Sequence, residues 1–205
     1  MRERAFPYWR NASIGAMQRI CVFAGAASGA RESYRQAAHE LGTEIGRRGL
    51  GMVYGGAAGG MMGLCADAAL AAGADVTGVL PRALMKREVA HPRLTELRVV
   101  SSLHQRKAVM SALCDAVVAL PGGFGTLDEL FEAITWAQLG LHDKPIGMLD
   151  ADGYYAPLFA FMDHARAEGF VQPTPFLTTA PTAAALLDAL ASLPHPRAVS
   201  DPPRP

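Results

Sequence analysis

Two charged side chains and a run of glycines carry most of the chemical information in this sequence. Glu129 closes the run Pro121-Gly122-Gly123-Phe124-Gly125-Thr126-Leu127-Asp128-Glu129, and Arg106 stands upstream in His104-Gln105-Arg106-Lys107. Three glycines within four positions let a backbone take left-handed angles and let a ligand approach without meeting a Cβ. With Thr126 as the N-cap of a following helix, the first helical amides point at whatever fills the loop. That is an anion site, most naturally for a phosphate. A carboxylate one turn from a phosphate is repelled unless it serves chemistry.

Both charges also have plain structural explanations. Thr126-Leu127-Asp128-Glu129 fits Thr-x-x-Glu, a capping box in which the glutamate accepts from the cap residue's own amide. Arg106 shares a helix face with Val109, Met110 and Leu113, so it projects toward the apolar side. There it meets a bound anion, a structural ion pair, or solvent by snorkelling. Lys107 is angled away and by itself is a surface lysine. Glu88, within the charged connection Arg82 to Pro92, reads by default as a solvated loop residue. His91, His104 and His142 have no ligand spacing, and no metal is assigned.

The elements that must position these residues are readable from periodicity. Ala116 to Leu120 is an unbroken apolar run of the kind a strand buried on both faces needs, and Leu127 to Leu139 has helical spacing. Upstream, Ile20 to Ala24 reads as a strand. Ser33 to Gln36 reads as a capping box opening a helix that Gly49 closes. Met52 to Tyr54 is a second strand, Gly55 to Gly60 a second glycine loop and Met61 to Ala72 a helix. Val76 to Leu80, stopped by Pro81, and Leu97 to Val100 are strands, and Leu103 to Leu113 is a helix. Downstream come a strand at Ile146 to Leu149, a helix at Ala156 to Glu168, and a last helix to Leu193 capped by Thr182. This alternation predicts a single α/β domain, Rossmann-like, with an open, mostly parallel sheet, helices on both faces, and ligands at the carboxyl ends of the strands.

Composition narrows the field further. The chain has 205 residues, 50% of them apolar, with 19 Lys plus Arg against 19 Asp plus Glu. That balance argues against nucleic acid or an anionic membrane as a partner. Cys21, Cys65 and Cys114 are far apart and flanked by apolar residues, which reads as three buried thiols in a reducing, cytoplasmic setting. Residues 1–18 read as an extension, either a disordered arm or the product of an upstream start, with Met17 just before the first strand. The domain spans 19–194, and 195–205 reads as a proline-rich disordered tail. Neither the Walker pattern nor Gly-x-Gly-x-x-Gly occurs after the first strand, against a kinase-like NTPase or an ordinary NAD enzyme.

Taken together, Met52-Val53-Tyr54-Gly55-Gly56, His104 to Lys107, Pro121 to Glu129 and Ile134-Thr135-Trp136-Ala137-Gln138-Leu139-Gly140 resemble the LOG ("lonely guy") family of cytokinin riboside 5′-monophosphate phosphoribohydrolases. The likeness runs from about Ile20 to about Val171. It implies hydrolysis of the N-glycosidic bond of AMP or an N6-prenylated AMP, giving a free base and ribose 5-phosphate without a cofactor. It implies catalytic roles for Arg106 and Glu129. Substrate contacts would fall on Glu88, Lys107, Gly122, Gly123, Phe124, Gly125, Thr126, Leu127, Asp128 and Thr135, with Ser28, Gly55 and Gly56 from the other two glycine loops. A homodimer with its site near the subunit interface is implied as well. A non-catalytic nucleotide carrier or sensor on the same scaffold is the alternative, and ribosyl transfer to another acceptor a third. Proteins similar to this one are often labelled lysine decarboxylases, but the chain is short and offers no Schiff-base lysine setting for pyridoxal phosphate. Some positions depart from the family pattern: Ala26 and Ala27 replace serines, Ala57 and Ala58 a glycine and a serine, Phe124 a tyrosine and Asp128 a glutamate. These differences bear on substrate preference more than on reaction type.

Overall fold

The strand β1 (Arg19–Phe23) shows how the sheet is built: Ile20 and Val22 face one core, Cys21 and Phe23 the other. Side chains of period two on a strand covered from both sides must divide in this way. The computed structural model describes residues 17–85 and 89–193. Expectations for residues 1–16, for Glu88 and for 195–205 lie outside the described residues.

Along the chain follow α1 (Glu32–Arg47), β2 (Gly51–Tyr54), α2 (Gly60–Ala71), β3 (Val76–Pro81), β4 (Glu96–Val100), α3 (Leu103–Leu113) and β5 (Ala116–Ala119). After them come α4 (Phe124–Gln138), β6 (Ile146–Leu149), α5 (Ala156–Ala167), β7 (Leu177–Ala180) and α6 (Ala183–Ser192). The seven strands form one sheet in the order β4-β3-β2-β1-β5-β6-β7, and every pair is parallel. Helices α1, α2 and α6 cover one face through Leu41, Ile45, Cys65 and Leu186, and α3 and α4 the other through Met110, Leu130 and Ile134, joined there by Leu158 and Phe159 of α5. Burial of each large aliphatic side chain stabilises the sandwich by roughly 1.5–3 kcal/mol.

β1 lies between β2 and β5, so successive crossovers leave it in opposite directions and open a crevice at its carboxyl end. The functional loops gather there.

Several local expectations are corrected. Ser33 to Gln36 does not form a capping box: α1 begins at Glu32 with Arg31 as an N-cap that makes no side-chain bond. The Ser33 hydroxyl instead donates to Asp152 Oδ2 at 3.2 Å, and Arg31 Nη1 pairs with the same oxygen at 2.7 Å. That latch holds Asp152 at a left-handed φ of 55°. Pro81 ends β3 inside the sheet, opposite Val100. β7 was not expected, because an edge strand of sequence Leu-Thr-Thr-Ala shows no apolar run. Thr182 does cap α6, accepting from the Ala185 amide at 3.3 Å.

Candidate active site

The floor of the crevice is backbone. Leu120 N donates to Phe23 O at 2.9 Å and Gly25 N to Pro121 O at 3.1 Å, which ties the loop after β1 to the loop after β5. The two chains then touch at glycines: a Cβ on Gly122 would lie 2.9 Å from Gly25 N and 2.1 Å from Thr126 Oγ1. Only glycine fits at 122. Two tyrosines buttress the loop from the β6–α5 connection, Tyr155 donating its hydroxyl to Leu120 O at 2.6 Å and Tyr154 to Gly122 O at 2.5 Å. The first amides of α2 are already engaged, with Met61 N and Met62 N donating to Gly25 O at 3.0 and 3.4 Å.

α4 begins three residues earlier than a Thr126 cap requires. Gly123 is the N-cap and makes no side-chain bond, so Phe124, Gly125 and Thr126 form the first turn. Their amides have no intrahelical acceptor, and no cap side chain competes for them. The first turn of α4 is therefore more open than a threonine cap would leave it. Thr126 is buried, its hydroxyl against Gly122, whereas Phe124 is 95% exposed. The shift also removes the capping box, because Glu129 lies six residues beyond the N-cap, a rise of roughly 9 Å. Glu129 is half-buried and its side chain borders the crevice.

Arg106 comes from α3, whose N-cap Ser102 accepts from Gln105 N at 3.1 Å. One turn of helix carries the guanidinium inward, and the residue is only 6% exposed. It lies directly over the end of β2: a Cβ on Gly55 would sit 1.9 Å from Nη2 of Arg106 and 3.1 Å from its Cζ. Gly55 thus belongs to the arginine's seat.

These parts enclose a cavity of about 520 Å³, a size suited to a small organic ligand. Ser28, Arg106, Gly122 to Thr126 and Glu129 line it together. Tyr34, Met61, Met62 and Tyr154 line it too. They were not foreseen, since Tyr34 and the methionines read as helix packing. Gly56 sits at the left-handed turn beside the site, with φ of 84°. Leu127, Asp128, Lys107 and Thr135 lie outside this cavity. Leu127 packs on the core beneath α4, and the Thr135 hydroxyl donates to Phe131 O at 2.7 Å. Lys107 pairs with Asp128 Oδ2 at 3.2 Å and, more closely, with Glu132. Burial works against its ammonium, but the hydrogen bonds from Glu132 and Asp128 hold its pKa above the ordinary lysine range.

Two further titratable groups near the site are shifted by burial. Burial first, then Cys114 and the Glu129 carboxylate, hold the Cys21 thiol well above its usual pKa. His142 donates from Nε2 to Ala133 O at 3.0 Å and accepts from Lys144 N at 3.2 Å, and burial, followed by the Lys144 charge, pushes it down to about 4. No group of His, Cys, Asp and Glu among the described residues could hold a metal ion. Nor does either described lysine offer a Schiff-base position: Lys107 is in its ion pairs, and Lys144 is buried against Ser111 O. No described helix is long and apolar enough to cross a membrane.

A family model described as "possible lysine decarboxylase" matches residues 62–190. The cytokinin riboside 5′-monophosphate phosphoribohydrolase LOG1 of Arabidopsis thaliana is 49% identical over 175 residues, 84% of this chain and 82% of that protein. The phosphoribohydrolase LOG of Oryza sativa subsp. japonica is 49% identical over 172 residues, 83% of this chain and 71% of that one. Among solved structures, a molybdenum cofactor carrier protein from Chlamydomonas reinhardtii superposes with a TM-score of 0.64 at 21% identity, covering 86% of this chain and 97% of that one. That likeness speaks for the fold alone. The glycine-floored crevice, with its arginine and its glutamate, therefore sits in a chain that belongs to the LOG family.

Proposed function

We propose that this protein hydrolyses the N-glycosidic bond of AMP or an N6-prenylated AMP, releasing the adenine-type base and ribose 5-phosphate. The observation that carries the reading is one cavity bordered at once by the open first turn of α4, the Glu129 carboxylate and the Arg106 guanidinium. The 5′-phosphate takes the amides of α4 and anchors the substrate at the end away from the scissile bond. Its binding energy then positions the ribose, so a nucleoside without phosphate reacts poorly. As the C1′–N bond breaks, its electron pair leaves with the base and C1′ becomes oxocarbenium-like. Glu129 stabilises that charge and orients the water whose oxygen bonds to C1′, the water proton passing to the site and finally to the base. Arg106 either steadies the phosphate or stabilises the departing base. The other contacts carried by the resemblance, Glu88, Lys107, Asp128 and Thr135, belong to the same proposal.

The proposal includes a cytoplasmic homodimer. Three buried free thiols suit a reducing compartment, and the exposed Leu103, Phe131 and Leu139 are apolar surface for a second copy to cover. Light scattering on the purified protein tests the dimer.

For the chemistry, purified protein is incubated with AMP and with isopentenyladenosine monophosphate, and free base is measured. Base release that falls by ~100-fold or more in Glu129→Ala and in Arg106→Ala is expected. Tight AMP binding by calorimetry with no base released over hours would instead identify a carrier. Base exchange without ribose phosphate would identify a transferase.

A further inference from the structure

We propose that Lys107 and Glu132 are positioning residues that set the charge state and orientation of the Glu129 carboxylate from behind, across a small chamber that all three border. The proposal rests on the hydrolase reading above and assigns it a second layer.

The chamber measures about 20 Å³, close to the space one water molecule needs. Lys107, Glu132, Ser111, Cys21 and His142 line it with Glu129, and among the described residues Glu129 is the one that borders both this chamber and the large cavity. The carboxylate is therefore a partition, with substrate space on one side and an ion pair on the other.

Helical spacing explains why an ion pair is needed. Asp128, Glu129 and Glu132 put three carboxylates on α4 within five positions, and residues three or four apart are neighbours that repel when like-charged. A single lysine from α3 gathers two of them: Lys107 Nζ meets Asp128 Oδ2 at 3.2 Å and Glu132 more closely. Asp128 is mostly in water, whereas the Lys107 and Glu132 side chains are 16% and 24% exposed. The lysine thereby offsets the repulsion that Glu132 would exert on Glu129.

Other charged and titratable groups border the same carboxylate. Arg106 approaches from the large cavity. On the chamber side, burial keeps the Cys21 thiol protonated, and His142 is neutral with both ring nitrogens committed to Ala133 O and Lys144 N. Lys144 is turned to Ser111 O and Cys114. The Lys107–Glu132 pair is an ionic element on the chamber side of the carboxylate, and its two halves act on Glu129 with opposite sign.

That opposition supplies the test. The pH dependence of kcat/KM for base release from isopentenyladenosine monophosphate is measured in wild type and variants. Lys107→Met removes the cation and leaves Glu132, raising the Glu129 pKa and moving the acid limb up by about one pH unit. Glu132→Gln leaves the lysine paired with the exposed Asp128 alone and moves the limb down. The double variant returns toward wild type, Lys107→Arg keeps the wild-type pH profile, and KM on the plateau changes less than twofold in Glu132→Gln. Glu132→Gln conserves volume, so it carries the test should Lys107→Met not fold. A carboxyl 13C titration of Glu129, assigned with Glu129→Gln, reads the same shifts without turnover. Absence of base release by the wild type would remove the hydrolase reading, and the titration alone would then decide the coupling. Shifts of the same sign in both single variants, or none in either readout, overturn the proposal.

Discussion

Gly55→Ala is the sharpest perturbation of the catalytic geometry, because it moves a charge without removing it. A methyl at Gly55 would lie 1.9 Å from Nη2 of Arg106 and 3.3 Å from Met62 Sδ. The sulfur tolerates its contact with a small adjustment. The guanidinium does not: restoring an ordinary contact of roughly 3.4 Å displaces Nη2 by about 1.5 Å. Arg106 borders the large cavity, so the displacement goes into substrate space. A misplacement of about 1 Å can cost ~100-fold in rate, so kcat/KM for base release should fall by about that factor, or about 2.7 kcal/mol. Stability should hold. Gly55 is not at a left-handed φ, and alanine at a compatible site gains roughly 0.4–1 kcal/mol from a less flexible unfolded chain. The assay is free base against substrate concentration, paired with a thermal melt, in wild-type and Arg106→Ala backgrounds. In the second background the Gly55→Ala effect should shrink below threefold, since its target is gone. Activity within threefold of wild type, or an equal loss in both backgrounds, would show that the guanidinium's position is irrelevant.

Gly122→Ala drives a methyl into Thr126 and the Gly25 backbone, so it should cost both activity and about 1–3 kcal/mol of stability in urea unfolding, whereas Gly123→Ala, which meets nothing within 4 Å, should fold normally. His142, held down to about 4 by burial, stays neutral in the fold while the unfolded chain binds its proton below pH 6.5. Stability therefore rises with pH between about 4 and 6.5 and is lost on acidification, by about 2 kcal/mol from pH 7 to 5. Urea midpoints at the two pH values should show this, and a His142→Leu variant should lack that part of the dependence. Burial pushes the Cys65 thiol up to about 12 and keeps Cys21 well above its usual range. Labelling by a disulfide reagent at pH 8 should therefore be slow for both in the native protein and fast in urea.

Much of this was legible in the sequence because the signals were local. Apolar runs such as Ala116 to Leu120 and Ile146 to Leu149, each followed by a turn and a helical stripe, identify a doubly wound parallel sheet. The glycine loop after Ala116 to Leu120 marks the crevice at the carboxyl end of β1 and β5. Misreadings arose where two local patterns compete. Thr-x-x-Glu marks a capping box only if the threonine is the cap, and the glycines before Thr126 let the helix begin earlier. Ser33 lost its cap for a different reason, a tertiary bond to Asp152. Contacts between distant segments left no trace at all. Nothing near Gly55 in sequence says that an arginine from α3 covers it, or that Tyr154 and Tyr155 hold up the loop after β5. Lys107 looked like an ordinary surface lysine because its partners, Asp128 and Glu132, lie on another helix.

The contact between Gly25 and Gly122 restricts how this cradle can diversify. A cradle whose base is peptide alone has no side chain there to exchange, and any enlargement breaks the joint between two strands before it can alter taste. Change in ligand preference is thus directed to the rim, to positions such as Ser28 and the outward-facing Phe124, which bear no such joint.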